Sequence, residues 1–322
     1  MSPPHKGSGK AKEPGDAARE SARRPLECAV FASIDDVQAG LEAQQYVADR
    51  GLAAAVFLGL SLRKPLLLEG EAGVGKTEVG KVLASMLDTR LIRLQGYEGI
   101  DIGSAMYEWN YARQILAIRM AEAGGHHVPD VFSREFLISR PILQALEGGS
   151  EHSPPVLLID ELDRADDEFD AFLLEVLSDF QVTIPEIGTI RADPPPVVVI
   201  TSNRTRELHD ALKRRCLYHW IEYPSVQKEI AILRARAPAI TASLRRQIVE
   251  FVQRTRALDI YKPPGTAETL DWARSLALLG VDDLDEDTTR LTLGILIKNQ
   301  EDLAQLHGPL LNDLVEAARR TA

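Results

Sequence analysis

Cysteine is nearly missing from this chain: there are two among 322 residues, Cys28 and Cys216. They lie far apart in sequence and give neither a disulfide framework nor a metal-binding spacing, so a reducing, cytoplasmic setting is expected. Long apolar runs are missing too. The longest candidate, Gly51 to Leu62, is too short to span a bilayer and is followed by Arg63 and Lys64. The N-terminus is polar, so no secretory signal is read there. Histidine is sparse, and His126-His127 sits in a glycine-containing loop without a Cys or acidic ligand pattern, which excludes a His/Cys metal centre. No Ser/His/Asp or Cys/His arrangement stands out. Positive charge is also short: the net charge of −11 argues against a general nucleic-acid binder.

What is present is a hydrophobic fraction of 45%, enough for a sizeable core. The length suits one large domain or two ordinary ones. Residues 1–25 carry six Lys/Arg against three Asp/Glu, hence +3, which leaves −14 on the remainder. They are rich in Pro, Gly, Ser and Ala, and residues 1–30 are expected to form a disordered basic tail. From Phe31 the pattern becomes ordered. Ser33 or Asp35 is placed to cap a helix through Val37 and Leu41 and on towards Val47, and Leu52 to Leu60 reads as a buried helix.

Short apolar runs then alternate with helical stretches: Pro65 to Glu69, Leu91 to Leu94, Val156 to Ile159 and Val197 to Ile200. Such near-continuous runs predict an α/β fold with a parallel sheet covered by helices on both faces. Phe169, Phe172, Leu173, Val176, Leu177 and Phe180 follow helical spacing and read as core packing. After Tyr223-Pro224 the strand-like runs stop. Residues 31–224 are therefore expected to form a core domain, and residues 225–322 a smaller all-α domain. Its breaks are expected at Pro238, at Pro263-Pro264-Gly265 and at Gly280 to Asp287.

The chemistry is concentrated in residues 70–77. Gly70-Glu71-Ala72-Gly73-Val74-Gly75-Lys76-Thr77 fits G-x-x-x-x-G-K-[ST] at every position, between a predicted strand and a predicted helix. Backbone N–H groups and a helix N-terminus then converge on one point, as a phosphate requires. Lys76 would reach the β- and γ-phosphates of a nucleoside triphosphate, and Thr77 would offer its hydroxyl to Mg²⁺. Asp160 and Glu161 end the apolar run 156–159. Successive side chains at a strand tip diverge, so Asp160 is assigned to the metal shell and Glu161 to the attacking water. Asn203, at the tip of the run 197–203, could orient that water or could cap a helix. Lys213-Arg214-Arg215-Cys216 offers an arginine for transition-state charge, or else a solvated basic turn.

In this order the motifs resemble the AAA+ ATPases of the MoxR type. The residues that carry the likeness are Gly70 to Thr77, Asp160-Glu161-Leu162-Asp163-Arg164-Ala165, Phe172 to Leu177, Gln181 to Pro185, Thr201-Ser202-Asn203 and Leu212 to Cys216. Leu94 to Asp101 and Tyr107 to Tyr111 look most like the CoxD branch, accessory proteins in the maturation of carbon monoxide dehydrogenase and related molybdenum hydroxylases. The resemblance implies a P-loop AAA+ core with a helical lid and an Mg²⁺-dependent ATPase working as a homo-oligomeric, hexameric ring. It also implies a von Willebrand factor A domain partner and a client metalloenzyme. It makes Asn203 the sensor of the γ-phosphate and Arg215, or alternatively Arg214, the arginine finger acting on a neighbouring subunit. The chain departs from the pattern in one place. MoxR proteins commonly carry a nucleotide-contacting lid arginine in a Ser-Pro-Arg setting, whereas Pro263-Pro264-Gly265-Thr266-Ala267 has none, and Arg274 follows further on.

Overall fold

The computed structural model describes residues 31–125, 127–149 and 154–320. The expected tail at 1–30, with Cys28, lies outside the described residues, as does His126. Two helices come first, α1 (Ile34–Ala43) and α2 (Arg50–Leu62). Ser33 caps α1 by accepting from the Asp36 amide at 3.1 Å, as its position predicts. The helix stops short of Val47, because Gln45 turns into the left-handed region at φ 60°. That turn carries Tyr46 and Val47 away from the helix axis and into the wall of a cavity described below.

Five strands form one parallel sheet: β1 (Leu66–Gly70), β2 (Leu91–Gln95), β5 (Val156–Asp160), β8 (Val197–Ser202) and β9 (Leu217–Ile221). Their order is β2-β5-β8-β1-β9. β1 and β5 are buried along their whole length, so both faces must be apolar, which explains the unbroken runs in the sequence. One face packs against Leu143, Phe169 and Leu173, the other against Val56, Val79 and Leu83. α3 (Lys76–Met86) follows β1 directly, and α7 (Asp167–Asp179) follows β5. Two small antiparallel pairs lie outside the main sheet: β3 (Tyr107–Trp109) with β4 (Leu137–Ser139), and β6 (Gln181–Ile184) with β7 (Gly188–Arg191). α4 (Ile102–Ala105) precedes β3, α5 (Tyr111–Gly124) runs between β3 and β4, and α6 (Pro141–Glu147) follows β4.

After α8 (Asp210–Arg215) and β9, every regular element is helical: α9 (Val226–Arg236), α10 (Ala242–Arg256), α11 (Thr266–Leu278), α12 (Glu286–Leu296), α13 (Gln300–Gln305) and α14 (Pro309–Arg320). These helices enclose a cluster of their own around Leu244, Phe251, Trp272 and Leu311. The Trp272 indole donates to the Thr292 hydroxyl at 2.8 Å, so its polar edge is satisfied in the interior. Further breaks at Ile297–Asn299 and Leu306–Gly308 divide the segment more finely than its sequence suggests.

Candidate functional site

The sheet order brings the C-terminal tips of β5, β8 and β1 side by side. Every motif singled out at a strand end therefore meets at one edge, where parallel α/β sheets bind ligands. Between β1 and α3 the loop turns through Gly73 at φ 74° and Gly75 at φ 98°. A Cβ on Gly73 would stand 2.7 Å from Glu268 Oε2 and 3.1 Å from Gly265 Cα, so only glycine lets the loop and the helical segment approach this closely. Lys76 donates to the carbonyls of Gly70 at 2.7 Å and Glu71 at 2.6 Å. Burial pushes the Lys76 ammonium down, while Asp163, Glu71 and Asp160 nearby pull it up. Its net shift is downward.

Asp160 is buried and fully engaged. Its Oδ1 accepts from Thr77 Oγ1 at 2.8 Å and from Thr201 Oγ1 at 2.6 Å, and its Oδ2 accepts from Arg93 at 2.5 Å. Thr201 also receives the Glu161 amide at 2.9 Å, so one hydroxyl ties both acids to β8. Glu161 itself has φ 53° and ψ 48°, a left-handed conformation held by its surroundings. Gln95 donates to Glu161 Oε2 at 2.9 Å, and the Arg164 guanidinium lies 3.0 Å from the same atom. Arg93 bonds Gln95 at 2.7 Å, which links the two acids along the outer strand.

A cavity of about 390 Å³ opens at this edge. Ala72 to Thr77, Asp160, Glu161 and Asn203 line one side, Tyr46 and Val47 an end, and Lys228, Arg236, Thr266 and Arg274 the side formed by the helical segment. Asn203 follows β8 and caps no helix; His209 caps α8. Arg274 thus shares a cavity with the loop, although its sequence context does not show that. Arg214 and Arg215, by contrast, do not line it. Both are exposed at the end of α8, and neither side chain makes a hydrogen bond or ion pair among the described residues.

Thr77 and Asp160 supply a hydroxyl and a carboxylate side by side, the hard oxygen donors that suit Mg²⁺. Among the described residues no group of three or more His, Cys, Asp or Glu could hold a metal unaided.

Sequence reasoning missed Arg93, Gln95, Thr201, Tyr46 and Arg236. Arg93 and Gln95 do show a signal, since they alternate with buried Ile92 and Leu94 and so share a face. Nothing in the linear order reveals that this face meets Asp160.

Residues 65–216 match the family model of the AAA domain, dynein-related subfamily. The match runs from β1 through α8 and includes the glycine loop, both acids, Asn203 and the arginine pair. Among curated proteins, no sequence matches the chain. Solved structures with likeness to it include the RuvB Holliday junction branch migration motor of Thermotoga maritima, at 19% identity over 85% of this chain and 74% of that one, with a TM-score of 0.43. A mutant RuvB from the same organism aligns at 20% identity over 85% and 73%, with a TM-score of 0.45. Residues 65–216 thus form an AAA domain on a P-loop α/β fold, a domain type whose chemistry is ATP hydrolysis. No helix among the described residues is long and apolar enough to cross a membrane.

Proposed function

We propose that this chain is a MoxR-type AAA+ ATPase of the CoxD-like branch. ATP binds between a core of residues 31–224 and a lid of residues 225–322. Lys76 leaves the Gly70 and Glu71 carbonyls for the β- and γ-phosphates, and the loop amides cradle them. Thr77 and Asp160 hold Mg²⁺, which neutralises charge on the phosphates. Glu161 accepts a proton from the water that attacks the γ-phosphorus, Asn203 orients that water, and the bond to the β–γ bridging oxygen breaks. Arg215 of a neighbouring subunit, with Arg214 as the alternative, stabilises the developing charge, so hydrolysis belongs to a homo-oligomeric ring, read as a hexamer.

The observation that carries this reading is a division of labour in one molecule. Acids, lysine and amide converge on the cavity, while the arginine pair stands outside it, exposed and unpaired. An exposed arginine pair that does not line its own chain's cavity suits a contact with a second copy.

The output we assign is remodelling of a client metalloenzyme of the molybdenum hydroxylase type, with a von Willebrand factor A domain protein as partner in the cytoplasm. The resemblance of Leu94–Asp101 and Tyr107–Tyr111 to the CoxD branch supports it. Tyr97, Ile102 and Tyr111 in that region are exposed, as are Ile115, Leu116 and Met120 on α5, and they give an apolar surface for contact. A net charge of −11 disfavours a nucleic-acid track.

Mixing inactive Lys76→Ala subunits with inactive Arg215→Ala subunits tests the reading. Recovery of ATP turnover in the mixture is expected, because an intact site then meets an intact arginine. Full activity of Arg215→Ala and Arg214→Ala alone would overturn the shared site. Turnover that rises severalfold with DNA would point to a nucleic-acid motor instead.

A further inference from the structure

Asn203 lines the cavity, but the groups that fix its backbone lie behind it. Two buried acids outside the cavity, Glu69 at 2% exposure and Asp163 at 3%, are tied to residues within two positions of Asn203.

Glu69 belongs to β1, and parallel pairing sets it opposite Ser202 of β8 and Trp220 of β9. Its Oε1 accepts from the Ser202 hydroxyl at 3.3 Å, and its Oε2 from the Tyr218 hydroxyl at 3.1 Å. The Ser202 oxygen in turn accepts from the Arg204 amide at 3.1 Å. One hydroxyl thus bridges the two residues that flank Asn203. The Arg204 guanidinium lies 3.8 Å from Glu69 and 5.7 Å from the centre of the Trp220 ring. Arg204 has φ 57°, a left-handed conformation that a residue with a side chain keeps when its surroundings impose it.

Asp163 approaches from the other side, on the short turn Leu162–Arg164 that follows β5. Its Oδ2 accepts from the Thr205 hydroxyl at 2.7 Å and from the Thr205 amide at 2.8 Å. The same hydroxyl reaches the Asp163 carbonyl at 3.1 Å. Burial alone would raise the Asp163 carboxyl, but the Thr205 hydroxyl and amide, with the Asn203 amide beside them, outweigh it and hold it below its usual value. Glu161 caps the start of this turn, so the acid that takes the water's proton and the amide that orients the water are joined by one short bridge.

Buried carboxylates are costly to desolvate, and apolar side chains of similar volume would often be at least as stable in their place. What their bonds fix is a conformation, that of residues 202–205.

We propose that Glu69 and Asp163 are positioning residues for Asn203: acting through Ser202 and Thr205, they hold its amide towards the attacking water. This rests on the ATPase reading above and deepens it. Neither acid touches the nucleotide, and Asn203 is aimed by a clamp of two acids and not by β8 alone.

ATP turnover, Mg-ATP affinity and melting temperature, all measured on the full chain, test it. Ser202→Ala and Thr205→Val each cut one link and leave both acids charged. Thr205 is exposed, so its substitution leaves the interior untouched. Each variant is expected to lose about tenfold in turnover while Mg-ATP affinity stays within about twofold of wild type. In an Asn203→Ala background either substitution should cost less than about twofold more, because nothing is left to position. Losses that multiply with that of Asn203→Ala would overturn the proposal. So would a lower melting temperature with unchanged turnover, a matching loss of affinity, or wild-type turnover in Asn203→Ala itself. A wild-type chain that does not hydrolyse ATP would overturn the ATPase reading, a result distinct from all of these.

Discussion

The two walls of the cavity are built on opposite principles. On the core wall the three charged groups of the strand tips and loop already have partners: Asp160 has two hydroxyls and Arg93, Glu161 has Gln95 and Arg164, and Lys76 has two carbonyls. On the lid wall, Thr266 is orphaned, and Lys228 and Arg236 are tied to acids of the core. The two acids of the core wall are thus held in place before any nucleotide arrives, as electrostatic catalysis demands, while Lys76 must change partners. The lid wall is held by links to the core. Substitutions of Glu161 and of the groups that hold it and Asp160 should change rate at constant affinity, and those in the lid should change affinity or stability.

The largest effect that sharpens this contrast lies in the lid's own core. Trp272→Ala removes a fully buried indole and its bond to Thr292, and is expected to cost about 3–5 kcal/mol of lid stability. Thermal or denaturant unfolding followed separately in lid and core should show the loss in the lid transition. A single transition moving as a whole would mean that the walls do not behave as separate units. Next, Thr201→Val leaves the core wall's shape but frees Asp160 and the Glu161 amide. Turnover should fall about tenfold while ATP affinity stays within about twofold of wild type. A loss of affinity without loss of rate would reverse the contrast.

The smallest effect concerns the links. Burial alone would raise the Asp49 carboxyl, but the Leu52 amide and the Lys228 ammonium outweigh it and hold it below its usual value. A carboxylate depressed in the folded state stabilises fully above its ordinary pKa, and loses that contribution as pH falls through the folded value. Asp49→Asn should therefore lower the melting temperature by about 1–2 °C at neutral pH. The gap to wild type should close below about pH 4. An unchanged gap at low pH would exclude Asp49 as the titrating link.

How legible the molecule is from its sequence differs between the same two regions. β1, β5 and β8 announce themselves because strands buried on both faces must be apolar throughout, and the polar residues at their tips then stand out. Asp160, Glu161 and Asn203 are readable for that reason. Thr201 is not, because its role depends on β8 lying beside β5, a neighbour relation that the linear order does not encode. Arg93 and Gln95 are hidden in the same way on β2. In the helical segment, Arg274 gives no sign in the sequence that it shares the cavity with the glycine loop. Thr266 looks ordinary until its hydroxyl is seen to lack a partner. Val47 escapes the helix because Gln45 adopts a left-handed turn that helical spacing cannot reveal.

The central claim is that the core wall is a preassembled hydrolytic site. Glu161→Gln tests it most directly, because the amide preserves shape and hydrogen bonding while removing the proton acceptor. With Mg-ATP binding and phosphate release measured on the same protein, binding should match wild type and release should fall by about 10²–10⁴. Phosphate release at the wild-type rate in this variant would contradict the account.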